Sequence, residues 1–267
     1  MFSNNLLAVI ASEEAIDIVT YVAIGAIALL AVVVAVICIA NRNKKFDTKS
    51  IAYAAVCLAT SFVLSFIKIA PVPNGGSITL ASWVPVLIYA YAYGAPRGLL
   101  VGIIFGILNF ISGPYILTPL SFVLDYILAF ATVGLMGFAG KFSKSLMKNV
   151  ILGTVIVAVA RLIMHLFSGM IYFQNDAIWV DLPTPNAFVY SLIYQLVYVP
   201  GDAVINIVVL IILAKTGVLQ TLLHMMRPSE FPSAQKASAG QSDAAPKADA
   251  DVNAPEEPSS DTAHKTE

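Results

Sequence analysis

Long apolar segments alternate along the chain with short polar stretches. The first uncharged run extends from about residue 18 to 40, and six more follow at roughly 50–70, 79–95, 97–112, 118–140, 149–173 and 187–214. A helix of about 20 apolar residues crosses a hydrocarbon core of about 30 Å. The pattern therefore predicts an all-α integral membrane protein with seven spans.

The first and last parts of the chain differ from the segments between them. Residues 1–47 predict an extra N-terminal transmembrane helix and a basic linker, and no basic region or small-residue cleavage site precedes that linker. This favours a retained signal anchor over a cleaved signal peptide. Residues 48–217 predict a six-helix membrane domain. Residues 218–267 predict a short amphipathic segment followed by a disordered cytoplasmic tail that is rich in Ala, Ser, Pro and charged residues.

Composition supports a protein of the lipid bilayer. The chain is 58% hydrophobic and 12% charged, with a mean hydropathy of +0.83, whereas soluble domains carry about 25% charged residues. The net charge of -1 predicts no nucleic-acid partner. Cys38 and Cys57 both lie in apolar runs, which favours two buried small hydrophobes over a disulfide or a metal pair.

Basic residues predict the orientation in the cell membrane. Lysine and arginine occur in the connections 41–49, 94–97, 141–148 and 215–227, whereas 71–78, 112–119 and 174–186 contain neither. Loops rich in Lys and Arg stay in the cytoplasm. The sequence therefore predicts an N-terminus outside and a cytoplasmic C-terminus.

Small residues recur at helical spacing in three segments. Such faces allow another helix to approach closely. They comprise Gly98, Gly102 and Gly106, then Gly134, Gly137 and Gly140, and finally Ala52, Ala55 and Ala59. The alanine face suits either an internal neighbour or a partner protein, and the spacing alone favours the internal neighbour.

Polar residues inside the apolar segments are the candidate functional groups, because polar side chains at membrane depth are costly. Asp125 needs a cationic partner, which could be Arg161, a bound cation or a proton. Arg161 and His165 are four residues apart and share one helix face. Asp202 follows Pro200-Gly201, a pair that could break the last span locally and give Asp202 a structural role.

Aromatic residues supply candidate walls for a cavity. Tyr190, Tyr194 and Tyr198 form a stripe at i, i+4 and i+8, with Gln195 beside it. Hydroxyl-bearing rings next to an amide suit hydrogen bonding and stacking. Cation–π contact contributes roughly 1–2 kcal/mol when it is desolvated. The set predicts a pocket for a small, flat, positively charged solute.

The sequence lacks the usual catalytic motifs. It contains no Walker-type glycine-rich loop, no His-Glu-x-x-His helix, no Gly-x-Ser-x-Gly elbow and no metal-ligand cluster. We therefore expect a binding protein without catalysis, cofactor or metal.

Four motifs, taken together, resemble a known family. They are Pro73-Asn-Gly75-Gly76-Ser77, Leu124-Asp125-Tyr126 with Ala129-Phe130, Arg161-x3-His165-x3-Gly169, and Tyr190-Ser191-Leu192-x-Tyr194. Their order and spacing over about residues 48–215 resemble the thiamine-specific substrate-binding (S) components of energy-coupling-factor transporters. The resemblance implies a six-helix bundle with a vitamin site near its outer face.

The same resemblance implies a set of binding residues. Its pocket would consist of Tyr115, Asp125, Tyr126, His165, Gly169, Phe173, Tyr190 and Gln195. Asp125 would face the thiazolium charge, Phe173 would stack on a ring, and the polar side chains would contact the ligand. Arg161 is a candidate counter-charge for Asp125 in the empty site. The candidate gate loop contains Asn74, Gly75, Gly76 and Ser77.

Three of these positions depart from the family pattern. Some members have Glu in place of Asp125, Trp in place of Phe173 and Asn in place of Gln195, and a Trp of the first outer loop is missing here. The shorter carboxylate and the longer amide could compensate in shape, or they could mark a related ligand such as a pyrimidine precursor.

The resemblance also implies partners and leaves alternatives to be tested. S components dock a small-residue helix face, here Ala52, Ala55 and Ala59, onto a membrane coupling subunit that two ATPase subunits drive, and they are thought to topple in the membrane. A different interpretation is a stand-alone secondary transporter in which Asp125 and His165 carry protons. A third is a membrane enzyme that uses the same pair as acid and base.

Overall fold

The computed structural model describes residues 47–72, 75–114, 119–172 and 187–231. The predicted first span at 18–40, Cys38 and the tail beyond residue 231 lie outside these ranges. Within them the chain forms seven helical segments and one β-hairpin.

The helices follow one another with short connections. They are α1 (Thr48–Ser65), α2 (Val84–Tyr93), α3 (Ala95–Ser112), α4 (Pro119–Lys141), α5 (Leu146–Tyr172), α6 (Ala187–Lys215) and α7 (Val218–Met226). Five of them, α1 and α3 to α6, are long and apolar enough to cross a membrane. The predicted helical membrane fold is confirmed for the described part of the chain.

The central helix is the short α2. Eight of its 10 residues are buried, among them Leu87 and Tyr89, which have no exposed surface. A helix that is apolar on all sides belongs in the interior, and α1, α3 and α4 surround it. Its length differs from the predicted span 79–95, because residues 79–83 are not helical.

A β-hairpin joins α1 to α2 and is absent from the predicted pattern. Strand β1 (Lys68–Pro71) pairs antiparallel with β2 (Ser77–Thr79). The predicted span 50–70 therefore ends as a helix at Ser65. Proline cannot donate a backbone hydrogen bond, and Gly75 adopts a φ of 91°, so this stretch favours a turn over a helix.

Helix α4 is irregular along its whole length. A short α-helical start (Pro119–Phe122) leads into a π-helical turn (Val123–Leu128), a second α-helical turn (Ala129–Ala131) and a 3-10 segment (Thr132–Lys141). The apolar run 118–140 predicts a plain span and gives no sign of these changes. Single π-turns are frequent at functional sites, and this one carries Asp125.

Glycines of α3 bring it against the backbone of α4. A Cβ on Gly102 would overlap the carbonyl of Phe130, and a Cβ on Gly106 would overlap the carbonyl of Tyr126. The predicted close-packing face is therefore present on α3. Gly140 is an exception to the second predicted face, because a Cβ there would meet Tyr91 at an ordinary distance of 3.8 Å.

Helix α6 is continuous through Pro200 and Gly201, so the predicted local break is wrong. One face of this helix is buried at every fourth residue. That face consists of Tyr190, Tyr194, Tyr198, Asp202, Asn206, Leu210 and Ala214. It packs along α5, against α2 and against strand β2.

Helix α7 closes the end of the bundle opposite the hairpin. Its apolar face is buried, and the hydroxyls of Tyr53 and Tyr93 donate to the carbonyls of Met225 and Met226. The α2–α3 turn with Arg97 and the α4–α5 connection lie at this end, which we call the basic end. The opposite end, formed by the hairpin, residues 112–114 and the start of α6, is called the hairpin end.

Within the part of the chain that the structure describes, no helix covers the alanine face of α1. Ala52, Ala55 and Ala59 are all exposed, whereas the buried residues of this helix are Ser50, Cys57, Ser61 and Ser65. No internal neighbour of that face is therefore found among the described helices. Cys57 is a free, buried cysteine, as predicted.

Candidate binding site

A cavity of about 230 Å³ extends from the hairpin end to the middle of the bundle. The hairpin, α3, α4, α5 and α6 all contribute to its walls. Its polar lining includes Ser77, Asp125, Tyr126, Arg161, His165, Ser168, Gln195 and Asp202. Ligand pockets usually have volumes of about 300–1,000 Å³, so this cavity suits one small molecule.

Both carboxylate oxygens of Asp125 are held by α5. Oδ1 lies 2.6 Å from Nδ1 of His165, and Ser168 Oγ donates to Oδ2 at 2.5 Å. Residues 165 and 168 are three apart and therefore share a helix face. The side chain of Asp125 still has 27% of its surface exposed. The network fixes the carboxylate while leaving part of it accessible to the cavity.

Among the buried polar atoms that have no hydrogen-bond partner within the described ranges, two belong to residues of the cavity wall: His165 Nε2 and Gln195 Oε1. The amide nitrogen of Gln195 donates to the His165 carbonyl at 3.2 Å, which turns Oε1 the other way. An ionised carboxylate only accepts, so the proton of a neutral His165 lies on Nδ1 and Nε2 is an acceptor. Both residues line the cavity. The site therefore offers acceptors to a ligand with N–H groups.

Aromatic rings surround these polar groups. Tyr126 packs in a cluster with Phe110 and Phe122, with ring centroids 5.3 and 6.1 Å from its own. On α6, Tyr194 and Tyr198 line the cavity, and their rings meet edge to face at 5.5 Å. Tyr190 is buried but is not among the described residues that line the cavity.

Arg161 does not form the ion pair with Asp125 that its sequence position allows. Its guanidinium stacks over the rings of Phe130 at 4.0 Å and Trp83 at 4.9 Å. His165 lies one turn farther along α5, and its ring forms the contact with the Asp125 carboxylate instead. The idea that Arg161 is the direct counter-charge of Asp125 is therefore wrong for this structure, although Arg161 does line the cavity.

The candidate gate loop forms part of the wall. Gly75, Gly76 and Ser77 line the cavity, and the Gly76 N–H donates to the Tyr194 hydroxyl at 3.1 Å. Gly169 also lines it. Three other predicted site residues, Asn74, Tyr115 and Phe173, lie outside the described residues.

Sequence reasoning did not identify several wall residues. Ser168 carries a signal, since it lies one turn beyond His165 on the same face. Thr79, Ser82 and Trp83 also line the cavity, but the apolar run 79–95 predicts a helix for them. In the part of the chain with described structure, no group of His, Cys, Asp or Glu could hold a metal ion.

Fold and site together define a helical, multi-pass membrane protein with a small polar and aromatic cavity between its helices. The comparison with known families is more specific. Residues 51–221 match the thiamine transporter protein family. Because this match covers more than half of the chain, the protein belongs to that family, and it is a transport protein rather than an enzyme. The resemblance to thiamine-specific S components is confirmed.

Individual relatives agree with this assignment. The chain is 28% identical over 175 residues to the thiamine transporter ThiT of Bacillus subtilis (strain 168), an alignment that covers 61% of this chain and 88% of that protein. A solved structure of ThiT from Listeria monocytogenes aligns with a TM-score of 0.54 at 24% sequence identity. It covers 63% of this chain and 94% of that one. The likeness to the solved structure supports the fold.

Proposed function

We propose that this protein is the membrane-embedded substrate-binding subunit that captures thiamine, or a close analogue, from outside the cell. ATP-driven import would follow through a shared energy-coupling-factor module. The observation that carries the proposal is the carboxylate of Asp125, which His165 and Ser168 fix at the wall of a small cavity. A fixed, partly desolvated carboxylate selects a cation.

The remaining groups of the cavity match the chemistry of thiamine. Its thiazolium carries a permanent positive charge, which Asp125 would face. Its aminopyrimidine carries N–H donors for the two unpartnered acceptors, His165 Nε2 and Gln195 Oε1. Both thiamine rings are flat, and Tyr126 and Tyr198 provide aromatic surfaces. A wall of this kind adds cation–π attraction of roughly 1–2 kcal/mol.

The departures from the family pattern fit the same ligand. Asp125 is one methylene shorter than Glu, and His165 and Ser168 hold it in place from the opposite helix. Gln195 is one methylene longer than Asn, and its own amide nitrogen is fixed by the His165 carbonyl. We propose that the two changes compensate in shape and that thiamine remains the ligand.

Orientation and partners complete the proposal. The hairpin end would face outwards, since its described connections carry one basic residue, Lys68, whereas Arg97, Lys141 and Lys148 belong to the basic end. The exposed alanines of α1 would dock onto the coupling subunit, which two ATPase subunits drive. A face of small residues that the described helices leave exposed suits close contact with another membrane helix.

Titration of the purified protein with thiamine, followed by quenching of Trp and Tyr fluorescence, tests the ligand. We expect submicromolar binding, weakened at least about tenfold (1.4 kcal/mol) in Asp125→Asn. Asp47→Asn, at an exposed residue of the basic end, is the matched control and should bind as the unmodified chain does. Tight binding of another vitamin without binding of thiamine would contradict thiamine as the ligand, but it would remain consistent with a role as a substrate-binding subunit.

The contact between Asp125 and His165 is also what a proton-coupled carrier would use. Uptake in cells that lack coupling subunits separates the two functions. We expect no thiamine uptake there unless the coupling subunits are supplied. Uptake by the chain alone that an uncoupler abolishes would contradict the subunit role.

A further inference from the structure

The buried face of α6 changes chemistry halfway along the helix. Tyr194 and Tyr198 are followed at the same spacing by Asp202 and Asn206, which are 4% and 0% exposed. Asp202 lies 15 residues after Ala187, about 22 Å along the helix axis. A carboxylate and an amide thus lie near the middle of a membrane-spanning helix, where polar groups need a partner.

Their partners are backbone groups of the segment between the hairpin and α2. The Thr79 N–H donates to Asp202 Oδ1 at 2.8 Å, and the Trp83 N–H donates to Asn206 Oδ1 at 3.0 Å. With the Gly76 N–H on the Tyr194 hydroxyl, the acceptors follow the order of the donors along the chain. The segment therefore descends along α6 from the hairpin end to mid-membrane.

Non-helical backbone at this depth must have its N–H groups satisfied within the protein, because an unsatisfied group costs several kcal/mol in hydrocarbon. Asp202 Oδ1 accepts a second hydrogen bond from Thr79 Oγ1 at 2.9 Å. Asn206 Nδ2 donates to the Asp202 carbonyl at 2.7 Å, which orients its Oδ1 towards Trp83. Gly201 makes room for this approach, since a Cβ there would meet Ile78 Cδ1 at 2.7 Å.

Residues 79–83, which we call the pinned segment because Asp202 and Asn206 hold its backbone, also form a wall of the cavity. Thr79, Ser82 and Trp83 line it, and Trp83 stacks on Arg161, which lines it as well. We propose that Asp202 and Asn206 are positioning residues that hold segment 79–83 against α6, and that they thereby fix the inner wall of the cavity. They act through Thr79 and Trp83. In its effect on thiamine this inference rests on the proposed function, whereas its effect on the segment does not.

Amide hydrogen exchange on the full chain in lipid nanodiscs tests the positioning directly, without ligand. In Asp202→Val we expect at least about tenfold faster exchange in peptides covering residues 77–83, while peptides of α3 keep their protection. Asp202→Asn retains an acceptor oxygen and should restore most of the protection. Thr79→Val is a milder variant that removes the hydroxyl bond and keeps the N–H. It should give a smaller increase if Asp202→Val fails to fold.

Thr154→Val is the matched control, because that buried hydroxyl donates to the Val150 carbonyl of its own helix. It should leave exchange at 77–83 unchanged. Unchanged exchange at 77–83 in folded Asp202→Val and in Asn206→Leu would overturn the inference. Equally faster exchange in all helices of the bundle would also contradict it, because both residues would then stabilise the fold as a whole and not this segment.

Stopped-flow fluorescence with thiamine gives the second readout. A loosened wall should raise the dissociation rate of thiamine about tenfold in Asp202→Val and change the association rate less. Asp202→Asn should rescue the slow dissociation. If the unmodified chain does not bind thiamine, the proposed function fails, while hydrogen exchange still decides the positioning role. If thiamine still dissociates slowly from Asp202→Val although amide exchange at residues 77–83 is faster, the inference that this segment fixes the cavity wall is contradicted.

Discussion

Two carboxylates, Asp125 and Asp202, lie in the described membrane-spanning helices, and their surroundings give them different roles. Asp125 is held by side chains and has 27% of its own side chain exposed. Asp202 is 4% exposed and accepts from the backbone and hydroxyl of Thr79. The residue type and the apolar context in the sequence are alike. Because of these partners, the carboxylate of Asp125 stays partly open to the cavity, whereas that of Asp202 supports non-helical backbone.

Arg161 lines the same cavity as Asp125 and Asp202. Replacing it is the strongest way to distinguish the surroundings of these two carboxylates. It stacks on Trp83 of the pinned segment and on Phe130 of α4. We expect Arg161→Met to lower the free energy of unfolding by about 3 kcal/mol, because the buried carboxylate of Asp202 loses a cation that lines the same cavity. Thermal unfolding in nanodiscs measures this loss.

A double-mutant cycle shows which carboxylate Arg161 compensates. Arg161 stacks on Trp83 of the segment that Asp202 and Asn206 hold, whereas Asp125 already has His165 as its hydrogen-bond partner. Adding Asp202→Asn to Arg161→Met should therefore restore more stability than adding Asp125→Asn. A larger restoration of stability by Asp125→Asn than by Asp202→Asn would contradict the different roles of the two carboxylates.

Gly106 tests the backbone support of Asp125. A Cβ at this position would overlap the Tyr126 carbonyl in the π-turn. We expect Gly106→Ala to lower the free energy of unfolding by about 2 kcal/mol and to weaken thiamine binding, because the turn must shift. Gly140→Ala should change both properties little, since the Cβ there has ordinary contacts. Unchanged affinity in Gly106→Ala would show that the turn need not be fixed.

Ser168 gives a smaller effect confined to the binding side. Its hydroxyl donates to Asp125 Oδ2, and a hydrogen bond to a charged group contributes about 1.5–3 kcal/mol. We expect Ser168→Ala to weaken thiamine binding about tenfold in calorimetric titration. Ser191→Ala removes an equally buried hydroxyl that donates to the Leu166 carbonyl. An equal loss of affinity in this control would assign the Ser168 effect to packing.

The sequence predicts the membrane class, the helical segments and several of the residues that line the cavity, because hydropathy and polar exceptions within it are strong signals. Asp125, His165 and Gln195 stand out as polar groups that would be costly in contact with lipid. The stripe of tyrosines at every fourth residue predicts the buried face of α6. Its continuation through Asp202 and Asn206 is the signal that would have extended this face to mid-membrane.

The missed features depend on tertiary contacts. Residues 79–83 are uncharged and join an apolar run, so hydropathy cannot distinguish a descending extended segment from a helix. The π-turn around Asp125 arises where α4 packs on the glycines of α3. The choice of His165 over Arg161 as the partner of Asp125 depends on the depth at which two helices meet, which spacing along one helix does not determine.

Calorimetric titration of thiamine into the unmodified chain, Asp125→Asn and Asp202→Asn tests the central claim most directly. Asp125→Asn removes the charge that lines the cavity, whereas Asp202→Asn retains the acceptor oxygen that Thr79 needs. We expect a dissociation constant raised at least about tenfold in Asp125→Asn and less than about threefold in Asp202→Asn. Equal losses in both variants, or unchanged affinity in Asp125→Asn, would contradict the distinct roles of the two carboxylates.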